Sequence, residues 1–323
     1  MRKHLSKAKY LIVIALFLIY SAYFFSKTYI PSPSLTDSDF RITAILGSEE
    51  NIFWKMVWQS LRKEADSLNL LLSEYPLSDN ASLTSSFAAL ETVSLAKPNG
   101  LILCQSRIPD EQYCQLLDQM KEDGLKIVTI DTDLPESYSD AYIGVDNEQI
   151  GKELAEFLIQ NYDDRKIILL SYDGTMAKNL ELRLNSVIHT LEEHGLQDNI
   201  ESLTLSSGFD NIMTQLQSYF ENVKEPVWIL SVASLQTLYT ARTIAGLEIT
   251  EQVHLVGFGE TEEAMRYVQD GVIEALVIQD TRAMGKLAVQ TMVQLLSGES
   301  LESKIKYVNA AILDKNNVED YLS

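Results

Sequence analysis

The sequence predicts an α/β fold with two doubly wound, mostly parallel sheets of five or six strands each. Three observations point there. Short runs of Val, Ile and Leu recur in continuous stretches rather than in polar alternation, the pattern of strands buried on both faces. Between them lie amphipathic segments whose apolar residues step by three or four, the period of a helix with one buried face. Glycine, aromatic and polar residues gather after the carboxyl ends of the runs and are sparse at the opposite ends.

In chain order, the expected strands cover 41–46, 70–75, 100–104, 126–131, 141–145, 166–171, 201–205, 227–231, 253–258, 275–278 and 305–313. The helix after the first strand carries Phe53, Val57, Leu61, Ala65 and Leu68 on one stripe, with Asn51 as its N-cap. Leu116 and Met120 mark the helix after the third strand, and Ile150, Leu154 and Leu158 the helix after the fifth. Alternating strands and helices imply right-handed crossovers. So many strands, at this helix density, exceed one compact open sheet; hence the two sheets.

In open α/β sheets a ligand binds beyond the carboxyl ends of the strands. The segments there read "GSEENIFW", "CQSRIP", "IDTDLP", "SYDGTMAKNLELR", "SVAS", "GFGETEE" and "IQDTR". Phe53 and Trp54 stand side by side in the first. Adjacent helical residues point about 100° apart, so one core face cannot take both rings. Phe53 starts the core stripe, and Trp54, or both rings, can project into the cleft and stack on the apolar face of a sugar or another flat ligand. On the residues alone, both rings can equally pack inside a lobe or its rim. Asp131 can merely cap the turn in "DTDLP", Arg183 can sit on a helix surface beside an acidic neighbour such as Asp210, and Gln279 can be a hinge residue bonded only to backbone.

The 323 residues, 46% of them apolar, suffice for two lobes with their own cores. A formal charge of −20 argues against nucleic acid as a partner, which requires a basic footprint. Cys104 and Cys114 alone make neither a zinc site nor a disulfide scaffold, and His4, His189, His194 and His254 have no metal-ligand spacing. No cofactor and no metal is implied.

The amino terminus adds a membrane element. Residues 1–9 are basic and are expected to stay cytoplasmic. Residues 10–25 carry no charge and span about 24 Å as a helix, at about 1.5 Å per residue. Extension to residue 30, with Lys27 reaching outward, approaches the ~30 Å hydrocarbon core. No clean small-residue cleavage site follows, so 10–30 reads as an uncleaved transmembrane signal anchor, with 31–39, "PSPSLTDSD", as a stiff polar linker. The protein is thus expected in the cell membrane, single-pass, with its binding domain extracytoplasmic.

"NIFWKMVWQSLRKEADSL", "NGLIL", "LKIVTIDTD", "AYIGVDNEQIGKELAEFL", "LRLNSV" and "VHLVGFGETEEAMRYVQDGVIEALVIQD" resemble, in order, the type I periplasmic sugar-binding proteins of the ribose-binding-like group. The resemblance covers 41–323. It implies two Rossmann-like lobes joined by a three-crossover hinge, with crossovers near Val145, Gln279 and Asn309. The N-lobe would comprise 40–145 plus 280–308, and the C-lobe 146–279 plus 309–323. It further implies that Asn51, Phe53 and Trp54 match the family's asparagine and stacking aromatics, that Asp131 and Arg183 hydrogen-bond sugar hydroxyls, and that Gln279 does so from the tenth strand. Thr132 stands where the family often has Arg and so loses a forked donor. Val232 to Ser234 and Gly259 replace an Asn-Asp pair and an Asp, which leaves Glu260 and Gln105 as candidate substitutes.

No nucleophile–base set, P-loop or dinucleotide fingerprint appears, so an enzyme is not expected. The expected function is to trap a sugar or polyol between two lobes and present the closed form to an ABC importer. Signalling through a membrane sensor histidine kinase is the first alternative. A degenerate fold serving only as a protein-interaction module is the second.

Overall fold

The computed structural model describes residues 40–78, 82–105, 108–135, 138–172, 176–206 and 209–322. The expected membrane anchor over 10–30, with its basic flank and linker, lies outside the described residues. Among the described residues no helix is long and apolar enough to cross a membrane.

The first sheet contains β1 (Arg41–Gly47), β2 (Leu71–Leu77), β3 (Gly100–Leu103), β4 (Lys126–Ile130), β5 (Ala141–Gly144) and β11 (Ile305–Tyr307), in the order β11-β5-β4-β3-β1-β2. The second contains β6 (Lys166–Tyr172), β7 (Ile200–Leu205), β8 (Val227–Ser231), β9 (Val253–Phe258), β10 (Ile273–Gln279) and β12 (Ala310–Leu313), in the order β12-β10-β9-β8-β6-β7. All pairings are parallel except β10 with β12. The single run read over 305–313 is therefore two strands. Val308 and Asn309 interrupt it, and its halves join different sheets.

The central strands are buried on both faces, which explains their uninterrupted apolar sequence. The edge strands β2 and β7 carry exposed residues along their length instead. Nine helices are described: α1 (Ile52–Ser67), α2 (Leu83–Ala96), α3 (Glu111–Glu122), α4 (Asn147–Gln160), α5 (Lys178–Glu193), α6 (Phe209–Phe220), α7 (Ser234–Leu247), α8 (Glu262–Gln269) and α9 (Thr281–Leu296). On one face of the first sheet Ile45, Leu101 and Leu103 pack with Leu90 and Val93 of α2 and with Tyr113, Leu117 and Met120 of α3. The stripe of α3 thus runs through Leu117, and Leu116 is only partly buried. In the second sheet Ile168, Leu170, Ile229 and Leu255 pack with Leu216, Ala241, Ile244 and Val268.

The chain passes between the sheets at three places. Val145 and Asp146 lead from β5 to α4, which packs on α5 and touches β9 and β10 of the second sheet. Asp280 leads from β10 to α9, which packs on α1, β3, β4 and β5 of the first sheet. Val308 and Asn309 lead from β11 to β12. The three lie side by side: Val308 N–H donates to the Gly144 carbonyl at 2.8 Å, and Asp280 N–H to the Asn309 carbonyl at 2.9 Å. Asp146 and Asp280 also cap the helices they introduce, donors being Gln149 N–H at 3.0 Å and Ala283 N–H at 2.8 Å.

Candidate ligand cleft

A cavity of about 230 Å³ opens where the carboxyl ends of the two sheets face each other. It lies just below the ~300–1,000 Å³ range of pockets for drug-sized ligands, which suits a smaller one.

The first-sheet wall begins with the aromatic pair. Asn51 caps α1, its side chain accepting from Phe53 N–H at 3.0 Å. That fixes the first turn, and both rings line the cavity while remaining largely buried. They meet edge to face, with centroids 4.9 Å apart and planes at 83°. Trp54 lies against Gly47, the last residue of β1: a Cβ there would stand 2.1 Å from the indole. Trp58, one turn on, donates from Nε1 to the Gly47 carbonyl at 2.8 Å. Two tryptophans therefore clasp the strand end, and only glycine leaves room for the ring that faces the cleft.

Asp131 follows β4 in the left-handed region, with φ 63°. Asp and Asn visit that region more readily than other non-glycine residues. Its N–H bonds the Ile143 carbonyl at 2.9 Å, and Tyr142 donates to its carbonyl at 3.0 Å. The tight turn aims the carboxylate at the second sheet, where Asn179 Nδ2 donates to Oδ2 at 2.9 Å. Thr132 is buried beside it, its hydroxyl 3.4 Å from the same oxygen. Gln105, just past β3, is buried and accepts from Ser86 Oγ at 2.5 Å.

The second-sheet wall is built around Arg183 of α5. It is 3% exposed and lies over the Phe258 ring at 4.3 Å. Glu260, after β9, is 5% exposed and accepts from Gln279 Nε2 at 2.9 Å and from Ser234 Oγ at 3.1 Å. Helices α5 and α7 start at the cleft behind Ala177 and Ala233, neither of which makes a side-chain cap. Their N-cap residues thus offer no side-chain acceptor of the kind that opens α1, α3, α4, α8 and α9, and in α5 Asn179 Oδ1 accepts from Leu180 N–H at 2.9 Å instead.

Burial governs the electrostatics. It pushes the carboxyls of Asp131 and Glu260 upward, against the opposing pull of Arg183 and their hydrogen bonds. It pushes Arg183 downward, with Asp131 and Glu260 opposing. The Cys104 thiol is pushed up by burial and by Asp131, so it is a poor nucleophile. Among the described residues no cluster of three or more His, Cys, Asp or Glu could hold a metal ion.

A family model for the periplasmic binding protein domain matches residues 42–300. The chain belongs to the periplasmic binding protein family. No curated protein matches it. Solved structures share the fold. GanP, a glucose-galactose binding protein from Geobacillus stearothermophilus, superposes with TM-score 0.75 at 18% identity, over 87% of this chain and 99% of that one. A carbohydrate transporter solute binding protein from Agrobacterium radiobacter, in complex with D-arabinose, gives 0.77 at 16%, over 89% and 98%. A XylFII–LytSN complex gives 0.72 at 17%, over 86% and 98%.

In this periplasmic binding protein, Asn51, Phe53, Trp54, Gln105, Asp131, Thr132, Arg183 and Gln279 all line the one cavity. Glu260 stands behind that lining, against Gln279 and Ser234. Arg183 is no surface residue: its neighbours are Asn147, Val232 and Gln279. Sequence reading missed Asn179, Tyr172, Ser86 and Ser234, which also line the cavity. Asn179 had a signal, since it precedes Arg183 by four residues and so shares its helix face.

Proposed function

We propose that this protein is an extracytoplasmic solute-binding protein that closes two lobes on a sugar or related polyol, without catalysis. One observation carries the reading. A single small cavity brings a stacking pair, Phe53 and Trp54, and Asp131 of the same wall together with Asn179 and Arg183 from across the cleft. An aromatic face takes the C–H face of a sugar ring, while a carboxylate and a guanidinium take its hydroxyls. Two proteins of the same fold, one a glucose-galactose binding protein and one in complex with D-arabinose, support the ligand class.

The apolar stretch at 10–30 supports a single-pass anchor that holds the domain outside the membrane. The first candidate partner is an ABC permease that accepts the closed form. The second is a membrane sensor kinase; the assembly of XylFII with LytSN, by a chain of this fold, supports a protein-partner reading.

Thermal unfolding of residues 31–323 against pentoses, hexoses and polyols tests the ligand. A ligand at 100 times its Kd adds about 2.7 kcal/mol, which at about 2–4 °C per kcal/mol moves Tm by roughly 5–10 °C. The shift is expected to be selective and to vanish in Trp54→Ala and Asp131→Ala. A flat panel at millimolar sugar overturns the sugar reading and favours an interaction module.

A further inference from the structure

The guanidinium of Arg183 is held by the protein itself. Nε donates to Asn147 Oδ1 at 2.7 Å, Nη1 to the Val232 carbonyl at 3.3 Å and Nη2 to Gln279 Oε1 at 3.3 Å. A guanidinium has five N–H donors, so two remain for the cavity that Arg183 lines.

These bonds continue in both directions with a fixed polarity. A guanidinium only donates and an ionised carboxylate only accepts. Gln279 therefore turns Oε1 to Arg183 and Nε2 to Glu260. Asn147 likewise turns Oδ1 to Arg183 and Nδ2 to the Tyr142 hydroxyl and the Val145 carbonyl, each at 3.3 Å. The Tyr142 hydroxyl, whose place a Cβ on Gly144 would take at 2.1 Å, donates onward to the Asp131 carbonyl. A continuous hydrogen-bond chain thus runs from Glu260 beside the second sheet to Asp131 in the first. It passes through residues 142–147, where the polypeptide itself passes between the sheets. Asn147 is its middle link, 6% exposed at the first turn of α4.

We propose that Asn147 is a positioning residue that ties the ligand-facing guanidinium of Arg183 to the crossover, so that the aim of Arg183 and the setting of the crossover change together. Its functional meaning rests on the cleft being a ligand site. The hydrogen-bond chain itself can be read in the empty protein, so its failure and that of the ligand reading are separate.

The test is hydrogen exchange of arginine Nε–H resonances in the ligand-free, ¹⁵N-arginine-labelled full chain, with Arg183→Lys assigning the signal. The native Arg183 Nε–H is expected to be protected. Asn147→Ala should speed its exchange at least tenfold. Asn147→Asp, which keeps the oxygen acceptor for Nε–H but loses the Nδ2 donor to Tyr142 and Val145, should restore part of the protection. Tyr142→Phe, which touches Asn147 but not the guanidinium, should also speed exchange, as a purely local contact would not require. An unprotected native signal overturns the proposal. So does failure of the aspartate to rescue, or indifference to Tyr142→Phe, and the last two variants decide even if the alanine variant does not fold.

Discussion

Glu260 shows how a single residue changes meaning between sequence and structure. In the sequence it stands beside Gly259 as a substitute ligand group; in the fold it braces Gln279 and Ser234 from behind. Its carboxyl is pushed up by burial, and no cation lies within ion-pairing distance of it among the described residues. A carboxyl whose folded pKa lies above its unfolded value binds its proton more tightly when folded. Its contribution to stability is full below the unfolded value and is lost as pH rises through the folded one. Glu260→Gln removes the charge while keeping an amide oxygen for Gln279. We expect the variant to gain stability over the native protein by about 1 kcal/mol near neutral pH, with a smaller gain at a lower pH at which the native carboxyl has taken up its proton. Urea unfolding at both pH values checks this, and a larger gain on the acid side would contradict the assignment. The aromatic pair teaches the complementary lesson. Helical geometry alone set Phe53 and Trp54 on different faces, yet in the fold both rings are buried, touch edge to face and line one cavity. That Trp54 needs Gly47 beneath it was not legible in the sequence, because the contact joins a strand end to the next helix.

At the level of elements, helix contacts carry the site. Arg183 reaches the cleft because α5 lies close on α4, and Gly151 makes that approach possible: a Cβ there would meet the Arg183 carbonyl at 2.6 Å. Backbone cannot move aside as a side-chain tip does. Gly151→Ala should therefore displace α5, cost about 1–3 kcal/mol of stability and weaken ligand binding by moving the guanidinium. Denaturant unfolding and a binding titration measure both, and an unchanged affinity would detach the helix contact from the site. Most elements were readable. Continuous apolar runs marked the interior strands, and three-or-four stepping marked the helices. The edge strand β2 and the division of 305–313 were harder, since apolar content alone does not say which sheet a strand joins.

For the whole molecule, the site exists only where two sheets face one another. The bond from Asn179 to Asp131 spans that gap, and the three crossovers lie side by side, where the proposed closing would hinge. Binding should shift residues 31–323 toward the closed arrangement. The radius of gyration, near ~19 Å for a compact chain of this length, should fall in small-angle scattering when the sugar that raises Tm is added. Superimposable curves with and without that sugar would sink the closing mechanism while leaving the ligand intact.

The sequence by itself determined the strand and helix periods, the doubly wound class and the strand ends that bear polar and aromatic residues. Those are local properties, written in the spacing of side chains along a few turns or a few residues of strand. The tertiary structure alone decided which of those residues meet. Asn179 reaches Asp131 from 48 positions away, Gln279 reaches Arg183 from 96, and Glu260 withdraws behind both. Such pairings depend on how two sheets are set across their crossovers, and no periodicity along the chain encodes that distance.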